Sequence, residues 1–181
     1  MRVITGIAKG RKLASFPSGA DSPGLRPTSG HIKESVFNII QFDIEGRRVL
    51  DLFAGTGQLG IEALSRGAAS ADFVDTGTSI VVKNLGLTGL ADRARVIKAD
   101  ALSFLKSAGG PYDLIFLDPP YGSPLLQKSL DIINVIDILR ASGIIVCEGV
   151  SEPDDISGYR KSLYRYSGKI ITLYTRIGDI R

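Results

Sequence analysis

"RVLDLFAGTGQLGIEALSRG", residues 48–67, joins a short apolar run to an amphipathic run, with three glycines at and just after the junction. We predict a strand in "RVLDLF" and a helix in "QLGIEALSRG". Gly55, Gly57 and Gly60 spell G-x-G-x-x-G between them, so the backbone can turn tightly and a ligand can approach without meeting a Cβ. Strand, glycine loop and helix in this order are typical of nucleotide-binding α/β folds.

Strands and helices alternate through the rest of the chain. We predict strands in "ADFVD", "ARVIKAD", "YDLIFLD" and "GIIVCEG", and helices in "SIVVKNLGLTGL", "ALSFLKSAG" and "PLLQKSLDIINVIDILR". Such a series predicts an α/β fold whose mostly parallel, seven-stranded sheet is covered on both faces. The closing segment "YRKSLYRYSGKIITLYTRI" predicts two strands around a tight turn, and therefore an antiparallel C-terminal edge.

The N-terminal segment has a different character. "MRVITGIAKGRKLASF" alternates apolar and polar residues around a turn signal and predicts a small β-hairpin, followed by a Gly/Pro/Ser-rich loop. We divide the chain into an extension over residues 1–27 and a main domain over residues 28–181. Thr28 or Ser29 can cap the first helix of that domain. We expect a fragment beginning near Thr28 to fold without the hairpin.

Composition limits the classes of protein to consider. Hydrophobic residues make up 44% of the chain and charged residues 23%, and no apolar run is long enough to span a membrane. Cys147 and His31 are the single cysteine and the single histidine, so we expect no disulfide, no metal site and a cytoplasmic location. Residues 1–48 carry a net charge of +4, residues 49–157 of −6 and residues 158–181 of +5. Basic flanks around an acidic body suggest contact with a polyanion.

Three acidic residues follow successive predicted strands, where ligands bind in such sheets. Asp75, at the end of the second strand, can accept the hydroxyls of an adenosine ribose, and Asp100 can accept the adenine amino group. Asp51 precedes the glycine loop, where a carboxylate opposes a pyrophosphate but suits an ammonium group. We therefore predict S-adenosylmethionine as the cofactor. Its predicted contacts are Asp51, Phe53, Ala54, Gly55, Gly57, Gly60, Asp75, Asp100 and Ala101.

"FLDPPYGS", residues 116–123, ends the fourth predicted strand with two rigid prolines. Together with "DLFAGTGQLGIEALSRGA", its "DPPY" resembles the S-adenosylmethionine-dependent methyltransferases that modify amino groups. "MRVITGIAKGRKL", "RPTSGHIKESVFNI" and "YRYSGKIITLY" further resemble the RsmD family, over nearly the whole chain. That family methylates N2 of guanine 966 in 16S ribosomal RNA, and the resemblance implies the same reaction here, on a Rossmann-like class I methyltransferase fold. Asp75 stands where the family usually has Glu.

The residue types of "DPPY" suit methylation of an exocyclic amine, whose lone pair is delocalised into its ring. Asp118 and the carbonyl of Pro119 can each accept one amine hydrogen, which turns the lone pair toward the methyl group. Pro120 stiffens this loop, and Tyr121 can stack on a base taken out of its helix. Asp118 can also stabilise the cationic amine and take its proton. We predict these four residues as the catalytic set.

The resemblance implies 16S ribosomal RNA or the small ribosomal subunit as partner, and we expect a monomer. We predict that RNA contacts the basic side chains of the N-terminal segment and the first helix: Arg2, Lys9, Arg11, Lys12, Arg26 and Lys33. Alternatives remain at this point. They are a methyltransferase for DNA adenine or a protein amide, an NAD-dependent oxidoreductase that shares the glycine loop, and a catalytically silent RNA-binding module.

Overall fold

A seven-stranded sheet forms the centre of the molecule in the computed structural model, which describes residues 1–16, 30–166 and 168–178. The strands lie in the order β3-β2-β1-β4-β5-β7-β6. The first five are parallel to one another, whereas β7 is antiparallel to both β5 and β6. The predicted Rossmann-like sheet with an antiparallel C-terminal edge is therefore confirmed.

The strands are β1 Arg48–Asp51, β2 Ser70–Asp75, β3 Ala94–Lys98, β4 Tyr112–Leu117, β5 Leu139–Gly149, β6 Tyr159–Tyr166 and β7 Lys169–Arg176. The helices are α1 Gly30–Ile39, α2 Gln58–Ser65, α3 Ser79–Thr88, α4 Ala101–Leu105 and α5 Leu125–Ile136. The caps predicted at Thr28 and Ser29 lie outside the described residues. None of the helices in the described ranges is long and apolar enough to cross a bilayer.

Successive side chains of the buried strands point to opposite faces of the sheet, so the core is divided into two clusters, one on each face. Phe116 and Val146 belong to the cluster that also contains the apolar side of α1, whereas Leu117 and Cys147 belong to the cluster on the other face. Because both faces are covered, the middle residues of the central strands are apolar, as Val49 and Leu50 of β1 and residues 114–117 of β4 show. The same alternation sets which side chains lie together where β4 and β5 end.

Helix α5 ends earlier than predicted. The sequence suggested a helix from residue 124 to residue 140, but α5 ends at Ile136 and β5 begins at Leu139. Asp137 takes a left-handed conformation with φ of 54°, which stops the helix. The carbonyl of Ile138 then accepts a hydrogen bond from Tyr112 N–H, which joins the chain to the sheet. Burial of Ile138 and Leu139 against the sheet outweighs their continuation of the helical pattern.

The N-terminal hairpin is docked on the main domain. It has one antiparallel bridge, between Arg2 and Lys12, and it buries Val3, Ala8 and Leu13 in the same cluster as α1 and α2. Glu62 of α2, fully buried, accepts hydrogen bonds from the backbone N–H groups of Ile4 and Thr5. The hairpin thus has a larger part in the core than the sequence suggested.

The position of Lys33 differs from the one expected of an RNA-binding residue. Its side chain is only 1% exposed, and its ammonium donates to Glu62 Oε2 at 2.9 Å and to the carbonyl of Arg2 at 2.6 Å. Burial, opposed by the charge of Glu62, lowers the pKa of this ammonium. The prediction that Lys33 contacts RNA is wrong, because its charge is used to fasten the hairpin to α1 and α2.

Candidate active site

A cavity of about 370 Å³ opens where the parallel strands end. This is the edge at which α/β sheets bind ligands, and the volume lies in the range of small-molecule sites. Its walls come from the segments after β1, β2, β3 and β4, from the start of α5 and from the N-terminal segment. The lining includes Phe16, residues 51–56, Gln58, Leu59, residues 75–77, residues 99–101, residues 118–121 and Leu125.

Asp51 lines this cavity and is almost fully buried. Its Oδ2 accepts a hydrogen bond of 2.9 Å from the N–H of Gly60, in the first turn of α2. Burial raises the pKa of the carboxyl group to about 7; the bond from Gly60 opposes the shift and the charge of Asp75 adds to it. A carboxylate therefore occupies the helix N-terminus where a pyrophosphate would otherwise bind.

The glycines of the loop have different roles. Gly55 lines the cavity and donates its N–H to Asp75 at 2.8 Å. Gly57 has φ of 77° and precedes α2, and Gly60 packs so tightly that a Cβ there would lie 2.3 Å from Cε1 of Phe73. Neither Gly57 nor Gly60 is part of the cavity wall. Gly57 allows the turn into α2, and Gly60 allows α2 to pack closely on Phe73. A direct cofactor contact is therefore expected from Gly55 rather than from these two residues.

Asp75 and Asp100 line the cavity, and both also accept hydrogen bonds from backbone N–H groups. The two oxygens of Asp75 accept from the N–H groups of Gly55 and Gly77, at 2.8 and 2.9 Å. A carboxylate oxygen has two lone pairs, so Oδ2, which accepts from Gly55, can still accept a ribose hydroxyl. Oδ1 also accepts from the hydroxyl of Thr76, at 3.5 Å. Asp100 caps α4 by accepting from Ser103 N–H at 2.9 Å, and that bond lowers its pKa. Asp100 therefore stays ionised near neutral pH, and both side chains lie at a wall of the cavity.

Residues 118–121 form the wall after β4. Pro119 is buried and Pro120 is exposed, while Asp118 and Tyr121 are half-buried. The carbonyl of Pro120 accepts from the hydroxyl of Ser123 at 2.7 Å, which closes a turn beyond the prolines. The structure thus brings the predicted catalytic residues and seven of the nine predicted cofactor contacts to one cavity.

The chain matches the family model described as "Conserved hypothetical protein 95" over residues 1–175. It belongs to this family. "Ribosomal RNA small subunit methyltransferase D" of Escherichia coli strain K12 is 38% identical over 155 residues, which are 84% of this chain and 76% of that relative. Its counterpart of the same name in Haemophilus influenzae is 35% identical over 154 residues, or 82% and 78% of the two chains.

A solved structure, "Putative methyltransferase yhhF from Escherichia coli", is similar to the chain with a TM-score of 0.84 and 34% identity, over 97% of both chains. The resemblance to the RsmD family and to its methyltransferase fold is therefore confirmed.

Several residues near the RsmD-family site were not predicted from the sequence, and three of them, Phe16, Glu148 and Lys169, bear on its chemistry. Phe16, which follows the hairpin, is part of the cavity wall. Glu148 at the end of β5 and Lys169 at the start of β7 meet the hydroxyl of Tyr121. Glu148 could have been predicted in the same way as Asp51, Asp75 and Asp100, since it too is an acidic residue near the end of a parallel strand. Lys169 had no local signal, because only the pairing of β5 with β7 places it there.

The hydroxyl of Tyr121 is bound on both sides. It donates to Glu148 Oε1 at 2.7 Å and accepts from the ammonium of Lys169. Desolvation, the charge of Asp118 and the bond to Glu148 together raise the pKa of Tyr121, so the ring stays neutral. A neutral, anchored ring beside Asp118 is suited to stacking on a base.

The predicted RNA-contacting residues fall into separate groups. Lys9 and Lys12 are exposed on the hairpin, and neither side chain makes a hydrogen bond or an ion pair within the described ranges. Arg2 and Arg11 are exposed but bonded to carbonyl groups, of Gly10 at 3.2 Å and of Leu87 at 3.0 Å. Arg26 lies outside the described residues. Lys9 and Lys12 remain the best placed of these cations for phosphate.

Proposed function

We propose that this chain transfers a methyl group from S-adenosylmethionine to N2 of a guanine in 16S ribosomal RNA, at the position of guanine 966. The observation that carries the proposal is that Asp118 and Pro119 share one cavity with Asp51, Asp75 and Asp100. Amine acceptors and adenosine acceptors therefore line the same space. Relatives named for methylation of small-subunit ribosomal RNA support the choice of substrate.

The chemistry of the cavity fits S-adenosylmethionine. Asp51 suits its ammonium group, Asp75 its ribose hydroxyls and Asp100 its adenine amino group. When bound, the cofactor supplies an electrophilic methyl group on a sulfonium, which is a good leaving group. It carries no phosphate, which agrees with a carboxylate at the start of α2. The same carboxylate disfavours the NAD-dependent alternative.

The residues of the chain act on the amine. Asp118 and the carbonyl of Pro119 each accept one of its hydrogens, so the nitrogen lone pair is turned out of conjugation with the ring. As the new N–C bond forms, the nitrogen becomes cationic, and the carboxylate of Asp118 stabilises that charge and accepts the proton that N2 loses. Tyr121 holds the extruded base by stacking.

Methyl transfer from labelled S-adenosylmethionine to purified ribosomal RNA and small subunits tests the proposal. After digestion to nucleosides, we expect the label in N2-methylguanosine. Label in N6-methyladenosine or in ribosomal protein would instead support the other amine-directed methyltransferases. No incorporation by a protein that binds the cofactor would favour the silent RNA-binding module, and binding of NAD in preference to S-adenosylmethionine would favour the oxidoreductase.

A further inference from the structure

Tyr121, Glu148 and Lys169 form a closed set of hydrogen bonds, here called the β5–β7 cluster. Lys169 donates to Tyr121 and to Glu148 Oε1, and Tyr121 also donates to that oxygen. Glu148 is 3% exposed, whereas the side chain of Lys169 is 20% exposed. The nearly buried carboxylate of Glu148 thus holds the ammonium of Lys169 by a hydrogen bond, while the lysine side chain remains partly exposed.

The cluster lies next to Asp118. Leu117 of β4 pairs with Cys147 of β5, so continuing that parallel register by one residue places Asp118 beside Glu148. Strands in such a pair are about 4.8 Å apart, and residues in register point to the same face. Lys169 faces the same way, because Glu148 pairs with Ile171 and side chains alternate along β7. Two carboxylates and an ammonium therefore follow one another across the edge of the sheet.

The hydrogen-bond inventory of the cluster leaves two groups unused. An ammonium has three N–H donors, and Lys169 uses two of them. Oε2 of Glu148 is buried and has no hydrogen-bond partner in residues 1–16, 30–166 and 168–178. Buried carboxylate oxygens without a donor are uncommon in proteins and call for an explanation. One donor of Lys169 and one buried acceptor of Glu148 are thus unused beside Asp118.

We propose that Lys169 and Glu148 read the guanine edge next to the amine that is methylated. Guanine presents, side by side, the O6 acceptor, the N1–H donor and the N2 amine. Lys169 donates to O6, Glu148 Oε2 accepts from N1–H, and Asp118 accepts from N2. Adenine and cytosine each have a ring-nitrogen acceptor beside the amine, which would face a carboxylate without a hydrogen bond. The cluster therefore selects guanine.

This inference rests on the proposed function, since it names the groups that recognise the base at the same site. Because Oε2 is buried, the ring of Tyr121 or the side chain of Lys169 must shift as the base enters. The competing interpretation is that Glu148 and Lys169 only hold Tyr121 in place, which predicts equal effects on every base.

Replacing the target guanine with 2-aminopurine separates these interpretations. This analogue keeps the 2-amine but has a C6–H in place of O6 and an unprotonated N1. We expect the wild-type protein to methylate guanine at least about tenfold faster than 2-aminopurine in single turnover, since each hydrogen bond to a charged group contributes about that factor. Lys169→Met should slow the reaction on guanine by about tenfold and change that on 2-aminopurine little.

Glu148→Gln gives a second, independent comparison. The amide can donate to the unprotonated N1 of 2-aminopurine, so the preference for guanine should fall further or reverse. Lys83→Met, an exposed lysine of α3, serves as the matched control and should leave the preference unchanged. Thermal unfolding and cofactor binding confirm that each variant folds. If Glu148→Gln does not fold, Lys169→Met alone tests the inference.

Equal losses on both bases in Lys169→Met, or no wild-type preference for guanine, would overturn the inference while leaving the proposed function intact. Failure of the wild-type protein to methylate any guanine would instead contradict the proposed function itself.

Discussion

At the scale of single residues, Asp51 is almost fully buried and yet lines the cavity. Because its pKa is raised to about 7, the folded chain keeps a proton that the unfolded chain loses near pH 4. The contribution of Asp51 to the free energy of unfolding is therefore largest below about pH 4 and declines as pH rises to about 7. An ammonium ligand reverses this preference, because it favours the ionised carboxylate.

Cofactor binding should consequently depend on pH. We expect the affinity for S-adenosylmethionine to rise between about pH 6 and pH 7.5, by at most about tenfold per pH unit, because binding releases the proton of Asp51. Asp51→Asn should bind more weakly and show a flatter profile. Calorimetric titrations across this interval make the comparison, and a wild-type affinity that does not change with pH would contradict the assigned role.

Asp118 gives the sharpest residue-scale prediction on rate. Asp118→Asn should retain cofactor affinity, while the single-turnover rate of methyl transfer falls by about 100-fold or more, because the carboxylate acts on the charge that develops in the transition state. Asp92→Asn, an exposed acid in the turn before β3, is the matched control. A near wild-type rate in Asp118→Asn would refute the proposed base and acceptor.

At the scale of elements, Glu62 joins the hairpin, α1 and α2. Its two oxygens accept from four donors, at 2.8–3.0 Å: Ile4 N–H, Thr5 N–H, Lys33 Nζ and Arg66 Nε. A segment fastened in this way stabilises the domain that it covers. A fragment starting near Thr28, which the sequence suggested would fold alone, would lose the two bonds from Ile4 and Thr5 and the burial of Val3, Ala8 and Leu13.

Glu62→Gln measures this attachment. It leaves the Lys33 ammonium buried without its counter-charge, so the free energy of unfolding should fall by about 3 kcal/mol or more, as is typical when one partner of a buried pair is removed. Glu34→Gln, an exposed acid of α1, should change it by less than about 0.5 kcal/mol. Urea denaturation provides the measurement, and equal midpoints for the two variants would show that the hairpin contributes little.

Local patterns were sufficient to predict the sheet, the glycine loop and the wall after β4, because those depend on residues close together in sequence. The errors involve partners that are distant in sequence. Lys33 was assigned to RNA because its counter-charge on α2 is 29 residues away. Glu148 and Lys169 meet Tyr121 only through strand pairing. The end of α5 depended on burial against the sheet, which a periodic pattern does not report.

At the scale of the whole molecule, acidic residues concentrate at the cavity and basic residues toward the chain's ends. RNA should therefore be held by its phosphates away from the site of transfer. Lys9→Ala together with Lys12→Ala should reduce the slope of log affinity against log salt by up to about two, since two phosphate contacts are lost. The matched double variant Lys83→Ala with Lys106→Ala should leave this slope unchanged. An unchanged slope in the hairpin variant would place the RNA elsewhere.

The central claim is methylation of one guanine in 16S ribosomal RNA, and mass mapping of that RNA from cells with and without the protein tests it most directly. We predict that N2-methylguanosine is lost from a single site in cells that lack the protein. It should return when the wild-type chain is supplied, but not with Asp118→Asn. Identical modification maps in the two kinds of cell, or loss of a modification on a different base, would contradict the account.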